Sequence, residues 1–112
     1  MDIRGKVAVI TGAASGIGRA AVSEICKHGV AAIALVDLSP TVHEFAASLN
    51  ESYGDRVARA FQGDTTDATF RHEVFETMRH EHGPINICVP AAGITRDALA
   101  VKMNKDKGKA NL

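Results

Sequence analysis

The apolar run V-A-V-I, Val7 to Ile10, passes directly into T-G-A-A-S-G-I-G, which sets three glycines among the eight residues Thr11 to Gly18. A short, continuous, β-branched run such as Lys6 to Thr11 reads as a strand buried on both faces, because it lacks the alternation of a strand with one solvated side. From Gly16 to His28 the spacing turns helical, with Ile17, Ala20, Ala21 and Ile25 on one face and Gly29 placed to stop the helix. Strand, bare turn and helix thus form the first unit of the chain.

The same alternation continues. Ala32 to Val36 supplies a second buried strand with Asp37 at its carboxyl end, and Ser39 as N-cap with Pro40 at the first helical position opens the next helix. That helix carries Val42, Phe45, Ala46 and Leu49 at i, i+3, i+4 and i+7. Val57 to Gln62 reads as a third strand and Gly63 to Asp67 as a turn. Phe70, Val74, Phe75 and Met78 form the stripe of a third helix ending near Gly83-Pro84, and Ile85 to Val89 is a fourth strand. Strands separated by helices imply right-handed βαβ crossovers, hence an α/β fold with a doubly wound parallel sheet covered on both faces. No repeat or linker interrupts it, and 112 residues with 46% hydrophobic content suit a single domain, residues 1–112.

Charge and cysteine usage narrow the partners. Thirteen basic residues balance thirteen acidic ones, so no global field draws the chain to nucleic acid or to an anionic membrane. Lys102, Lys105, Lys107 and Lys109 cluster near the end with Asp106 among them and read as a solvated loop. Cys26 and Cys88 lie in apolar segments without a CxxC or histidine pattern, which predicts buried thiols in a reducing compartment and no disulfide or metal site. No run reaches the ~20 apolar residues of a membrane span and no signal-peptide core follows Met1, so the expectation is a cytoplasmic protein.

A glycine-rich turn between strand and helix lets backbone N–H groups approach a pyrophosphate, and the helix N-terminus adds about half a positive charge. Gly12 would make the tight turn, Gly16 the close approach and Gly18 the close packing of helix on strand. Asp37, 19 positions after Gly18, ends the next strand, where a carboxylate can accept hydrogen bonds from ribose hydroxyls. The ligand implied is a dinucleotide; glycines that merely punctuate a turn are the plainer alternative, and a methyl-donor enzyme on a similar sheet is another.

T-G-x-x-x-G-x-G after I-T-G, the Q-G-D-T-T-D segment and C-V-P-A-A-G-I-T-R-D-A-L together resemble the short-chain dehydrogenase/reductase family across residues 3–103, and A-G-I-T-R-D-A-L is similar to its 3-oxoacyl-(acyl-carrier-protein) reductase branch. The resemblance implies a Rossmann-type sheet in strand order 3-2-1-4. It implies NAD(P) bound by Gly12, Ser15, Gly16, Ile17, Gly18, Asp37, Asp64, Thr65, Ala91, Ala92 and Gly93, with Asp64 and Thr65 at the adenine. A homo-oligomeric parent enzyme is implied as well. Ser15 stands where NADP-preferring members often carry a cation, and Asp37 would repel a 2′-phosphate, so NAD is favoured over NADP despite Arg19 nearby. Pro90-Ala91 replaces the family's Asn-Asn, which removes a side-chain amide and a backbone donor and predicts a fourth strand that ends early.

Family chemistry moves hydride between nicotinamide and a carbonyl or alcohol, using a tyrosine acid/base, a lysine four residues later and a serine. The one tyrosine, Tyr53, falls in the loop before strand three and is followed four positions on by Val57, so no Y-x-x-x-K exists and no catalytic residue is assigned. His80 and His82, at i and i+2, do not share a helix face and suit a helix C-terminus better than a metal; His28, His43 and His72 are scattered. The expectation is the N-terminal cofactor-binding part of a longer short-chain oxidoreductase, about four strands and three helices, whose isolated chain is inactive and either poorly stable or associating. A non-catalytic product acting through binding alone is the alternative.

Overall fold

A computed structural model describes residues 2–91 of the chain. Its elements alternate as the residue pattern demands: β1 (Val7–Thr11), α1 (Gly16–Lys27), β2 (Ala32–Asp37), α2 (Thr41–Tyr53), β3 (Ala58–Gln62), α3 (Ala68–His82) and β4 (Ile87–Pro90). All pairings are parallel, in the order β3-β2-β1-β4 that the family resemblance implies, with Val9 opposite Ala34 on one side and Cys88 on the other.

Strand alternation divides the core into two layers. Ala8, Ile10, Ile33 and Leu35 face Val22, Ile25 and Cys26 of α1 and Val42, Phe45 and Leu49 of α2. Val7, Val9, Ala34 and Val36 face Val74 and Met78 of α3. Because both faces of β1 and β2 are covered, their sequences are continuously apolar rather than alternating. Two side-chain amides complete the ladders where strands begin: Asn86 Oδ1 accepts from Val7 N at 3.0 Å, and Asn50 pairs with both backbone groups of Ala58.

Several local expectations shift. Ala20 is exposed and Val22 takes the buried place on α1, because the buried arc follows Gly18, Ala21, Val22, Ile25 and Cys26. Helix α2 starts at Thr41; Pro40 already has helical dihedrals, and Ser39 Oγ accepts from Thr41 N at 3.3 Å. Tyr53 is not a loop residue but the exposed last residue of α2. Pro90 does not end β4 ahead of itself: it is the strand's last residue, opposite Thr11, and the β1 ladder is closed by Ala91 N on Thr11 O at 3.0 Å, a bond that makes no use of the N–H that proline lacks. Cys88 is exposed, contrary to the buried thiol expected from its apolar flanks, because Ile87 and Val89 take the face toward the α1–α2 core and turn Cys88 the other way.

Candidate functional site

Helix α1, which follows β1, packs on one face of the sheet and α3, which leads into β4, packs on the other, so the strand order reverses between β1 and β4 and their carboxyl ends form the switch point where an open α/β sheet has its crevice. The glycine turn emerges there. Gly12 sits at φ +69°, a left-handed conformation that favours glycine, and its carbonyl oxygen accepts from Ser15 N at 3.1 Å and Ser15 Oγ at 2.6 Å. Ser15 then caps α1: its Oγ accepts from Gly18 N at 3.1 Å and its backbone oxygen from Arg19 N at 2.7 Å. The N–H groups of Gly16 and Ile17, in the first turn, have no intrahelical acceptor to reach. A Cβ added to Gly16 would meet no atom within 4 Å, so this side of the turn has room for a ligand.

Asp37 reaches the turn from β2. Its Oδ2 accepts from Ala14 N at 2.9 Å and its Oδ1 from Ser39 N at 2.9 Å, while Ala13 N donates to Val36 O at 3.1 Å. The glycine turn and the acid that the residue pattern singled out are therefore joined directly. Gly63 N donates to Asp37 O at 3.0 Å and brings the β3–α3 turn alongside. In that turn Asp64 Oδ1 accepts from Thr66 N at 2.8 Å and Thr66 Oγ1 at 2.7 Å; the backbone bond first, then the hydroxyl, holds the Asp64 carboxyl below its ordinary value. Arg71 ties the turn to α3 by donating to Thr65 O at 2.8 Å.

Ala91 is buried in the α1–α2 core and its N–H donates to Thr11 O; Ala92 and Gly93 lie outside the described residues, as do the four clustered lysines. Three residues beside the turn escaped the sequence reading. Ala14 and Ser39 contribute only backbone N–H groups, which side-chain chemistry does not reveal. Leu38, directly after Asp37 at the carboxyl end of β2, is a large apolar side chain left 67% exposed, and a large aliphatic residue following the strand-ending acid was its visible signal. A hollow of about 590 Å³ between Asp55, Arg59 and His82 lies at the opposite end of the sheet, and one of about 320 Å³ lies at the carboxyl ends of β1, β2 and β4, between Thr11, Val36, Thr65 and Pro90. No group of three or more potential ligands is arranged to hold a metal ion among those residues.

No helix of the described residues is long and apolar enough to cross a membrane. The family profile for short chain dehydrogenases matches residues 6–111. The chain is 38% identical over 108 residues to 2,3-dihydro-2,3-dihydroxybenzoate dehydrogenase of Bacillus subtilis, covering 96% of this chain and 41% of that protein. It is 34% identical to the 3-oxoacyl-(acyl-carrier-protein) reductase FabG of Vibrio harveyi, again covering 96% of this chain and 42% of the relative. It thus spans about two fifths of the length of these relatives. Among solved structures, a short-chain dehydrogenase/reductase of Brucella melitensis superposes with TM-score 0.72 at 29% identity, over 86% of this chain and 39% of that one. A Burkholderia phymatum short chain dehydrogenase/reductase in complex with NAD shares the fold with TM-score 0.72 at 22% identity, over 79% of this chain and 31% of that one. L-sorbose reductase of Gluconobacter frateurii, complexed with NADPH and L-sorbose, gives 0.69 at 29%, over 94% of this chain and 48% of that one. With the glycine turn, the acid at the end of β2 and the parallel sheet in place, the chain belongs to the short-chain dehydrogenase family.

Proposed function

We propose that residues 1–112 are the dinucleotide-binding portion of an oxidoreductase that moves hydride between a nicotinamide cofactor and a carbonyl or alcohol. The observation that carries this reading is the Asp37 carboxylate, fixed against the glycine turn by Ala14 N at 2.9 Å. One ligand can then meet the pyrophosphate donors of Gly16 and Ile17 and the ribose acceptor of Asp37 at once. Gly12, Ser15 and Gly18 shape the turn, Asp64 and Thr65 are assigned to the adenine, and Ala91, Ala92 and Gly93 complete the assigned cofactor-binding residues. The bare approach at Gly16 and the Asp37 carboxylate, which is held by backbone N–H groups, fit NAD. With serine rather than a cation at position 15, a 2′-phosphate gains no partner there.

The cofactor supplies the hydride when bound; the residues of this chain bind and orient it. Proton transfer needs an acid/base that residues 1–112 do not contain as Tyr-x-x-x-Lys, so substrate turnover is assigned to the whole protein and not to this stretch. A 3-oxoacyl thioester is the substrate class supported by A-G-I-T-R-D-A-L and by the similarity to a 3-oxoacyl reductase. The second reading, a chain that binds cofactor or associates without catalysis, is favoured by that same lack. A homo-oligomeric parent, self-association of the 112-residue chain along the edge of β4, which pairs with β1 alone among the described residues, and a cytoplasmic location complete the proposal.

Titrating NAD and NADP into the 112-residue chain and its Asp37→Ala variant tests the reading. The expected result is tighter NAD binding by the wild type and a narrowed difference in the variant. A wild type that prefers NADP overturns the cofactor assignment, and one that binds neither overturns the dinucleotide reading.

A further inference from the structure

Both oxygens of the Asp37 carboxylate are committed to backbone: Oδ2 to Ala14 N and Oδ1 to Ser39 N, each at 2.9 Å. Ala14 stands inside the turn, between Gly12 at φ +69° and the helix cap Ser15, and its neighbour Ala13 is held through N–H on Val36 O at 3.1 Å. The end of β2 therefore grips the turn at two successive amides, one through the main chain and one through a carboxylate. The geometry points to a second role for Asp37: it is a positioning residue that holds the phosphate-binding turn in its working shape before any ligand arrives. This rests on the dinucleotide reading of the site.

Main-chain and Ser15 bonds hold the two ends of the turn, at Ala13 N and Gly12 O, whereas the Ala14 N–H between them is held by Asp37. Gly12 has no side chain, Ala13 buries only a methyl group, and Ala14 has a methyl group and half-buried backbone. A carboxylate bonded to an N–H is the strong, charge-assisted kind of hydrogen bond, so losing it frees the middle of the turn. Ordering a loop in advance removes a cost that binding otherwise bears. Each carboxylate oxygen has two acceptor sites, and the backbone uses one on each, which leaves one on each for the ribose hydroxyls. Ribose recognition and phosphate recognition are thereby one mechanical unit. Asp37 cannot swing aside to admit a 2′-phosphate without releasing Ala14, which makes discrimination against that group stiff rather than a matter of charge alone.

Amide hydrogen exchange and binding together test the tether. In the ligand-free 112-residue chain, Asp37→Ala is expected to speed exchange at Ala14 by about tenfold or more, while amides in the middle of α3 keep their rates. Asp37→Asn keeps the shape but offers one acceptor for two N–H groups, so it should give an intermediate rate, and it carries the test if the alanine variant does not fold. The second arm compares ADP with 2′,3′-dideoxy-ADP, which lacks the hydroxyls that Asp37 would bind. If Asp37 only recognises ribose, substitution leaves dideoxy-ADP affinity unchanged or raises it, because a negative charge has left the neighbourhood of the phosphates. As a tether, its loss should weaken dideoxy-ADP by roughly three- to tenfold. Unchanged Ala14 exchange in both variants, or unweakened dideoxy-ADP binding, overturns the proposal. A wild type that binds neither nucleotide, with Ala14 exchange still accelerated by the substitutions, defeats the dinucleotide reading and leaves the tether standing.

Discussion

A Cβ on Gly18 would stand 1.9 Å from the carbonyl oxygen of Gly12 and 2.7 Å from its carbonyl carbon. Both atoms are backbone, held by Ser15 N and Ser15 Oγ, so neither gives way cheaply. Gly18→Ala must lift the first turn of α1 off the end of β1. The expected cost is at least the ~1–3 kcal/mol of an overpacked core, read as a lower urea midpoint.

Gly16→Ala is expected to behave in the opposite way. Its Cβ meets nothing within 4 Å, and alanine is the better helix former by up to about 1 kcal/mol, so the fold should hold or gain slightly. Dinucleotide affinity should nonetheless fall, by about tenfold or more, because the methyl group occupies the space through which the phosphates approach. A Gly16→Ala chain that binds NAD like the wild type removes this residue from the site.

Asn50 acts as a substitute strand at the start of β3. Its Nδ2 donates to Ala58 O at 2.9 Å and its Oδ1 accepts from Ala58 N at 2.7 Å, in a place where Ala58 is buried. Asn50→Ala leaves a donor and an acceptor unpaired there and should cost about 1–3 kcal/mol in equilibrium unfolding. Exchange at the β3 amides should rise in the same variant, whereas those of β4, across the sheet, should follow only the global change.

These contrasts mark what residue order could reveal. The runs V-A-V-I and A-I-A-L-V are apolar without alternation because both faces of β1 and β2 are covered, so burial and parallel pairing were readable from composition. The glycine turn and Asp37 were readable because each needs a particular residue type. Ala14 and Ser39 were not, since any residue except proline offers the same N–H. The outward turn of Cys88 depended on which of two faces β4 presents at an edge, and apolar flanks on both sides conceal that choice. Pro90 misled for a related reason: lack of an N–H is tolerated at the last position of a strand, where Ala91 N closes the pairing.

Acid should act through Asp64 in a defined direction. The Thr66 backbone N–H, then its hydroxyl, favours the charged carboxylate and lowers its pKa below 3.8. A depressed folded value means the stabilisation is fully present above the unfolded pKa of about 3.9 and is lost as pH falls through the folded one. Carbon-13 titration of the Asp64 carboxyl should therefore give a midpoint below 3.8. Thr66→Val, which removes the hydroxyl and keeps the backbone donor, should raise that midpoint only part of the way. A wild-type midpoint at or above the ordinary value contradicts the hydrogen bonding described.

The two cysteines should differ sharply in reactivity. Cys26 is 3% exposed between α1 and the sheet, and burial pushes its thiol up to about 11, so almost no thiolate exists there near neutral pH. Cys88 is exposed on β4, at the rim of a hollow of about 320 Å³ that Phe70, Val74 and Phe75 line from α3. A thiol reagent at about pH 8 should modify one cysteine quickly, and Cys88→Ser should abolish that fast phase; Cys26 should react only as the chain unfolds. The raised Cys26 value also sets a sign on the alkaline side. The folded state keeps the thiol neutral while the unfolded thiol ionises near 9.0, so stability is unaffected at lower pH and falls as pH rises from there toward about 11. Cys26→Ala should lack this part of the alkaline decline, whatever it loses in packing. Fast modification of Cys26 in the folded Cys88→Ser chain would mean that α1 does not cover it as described.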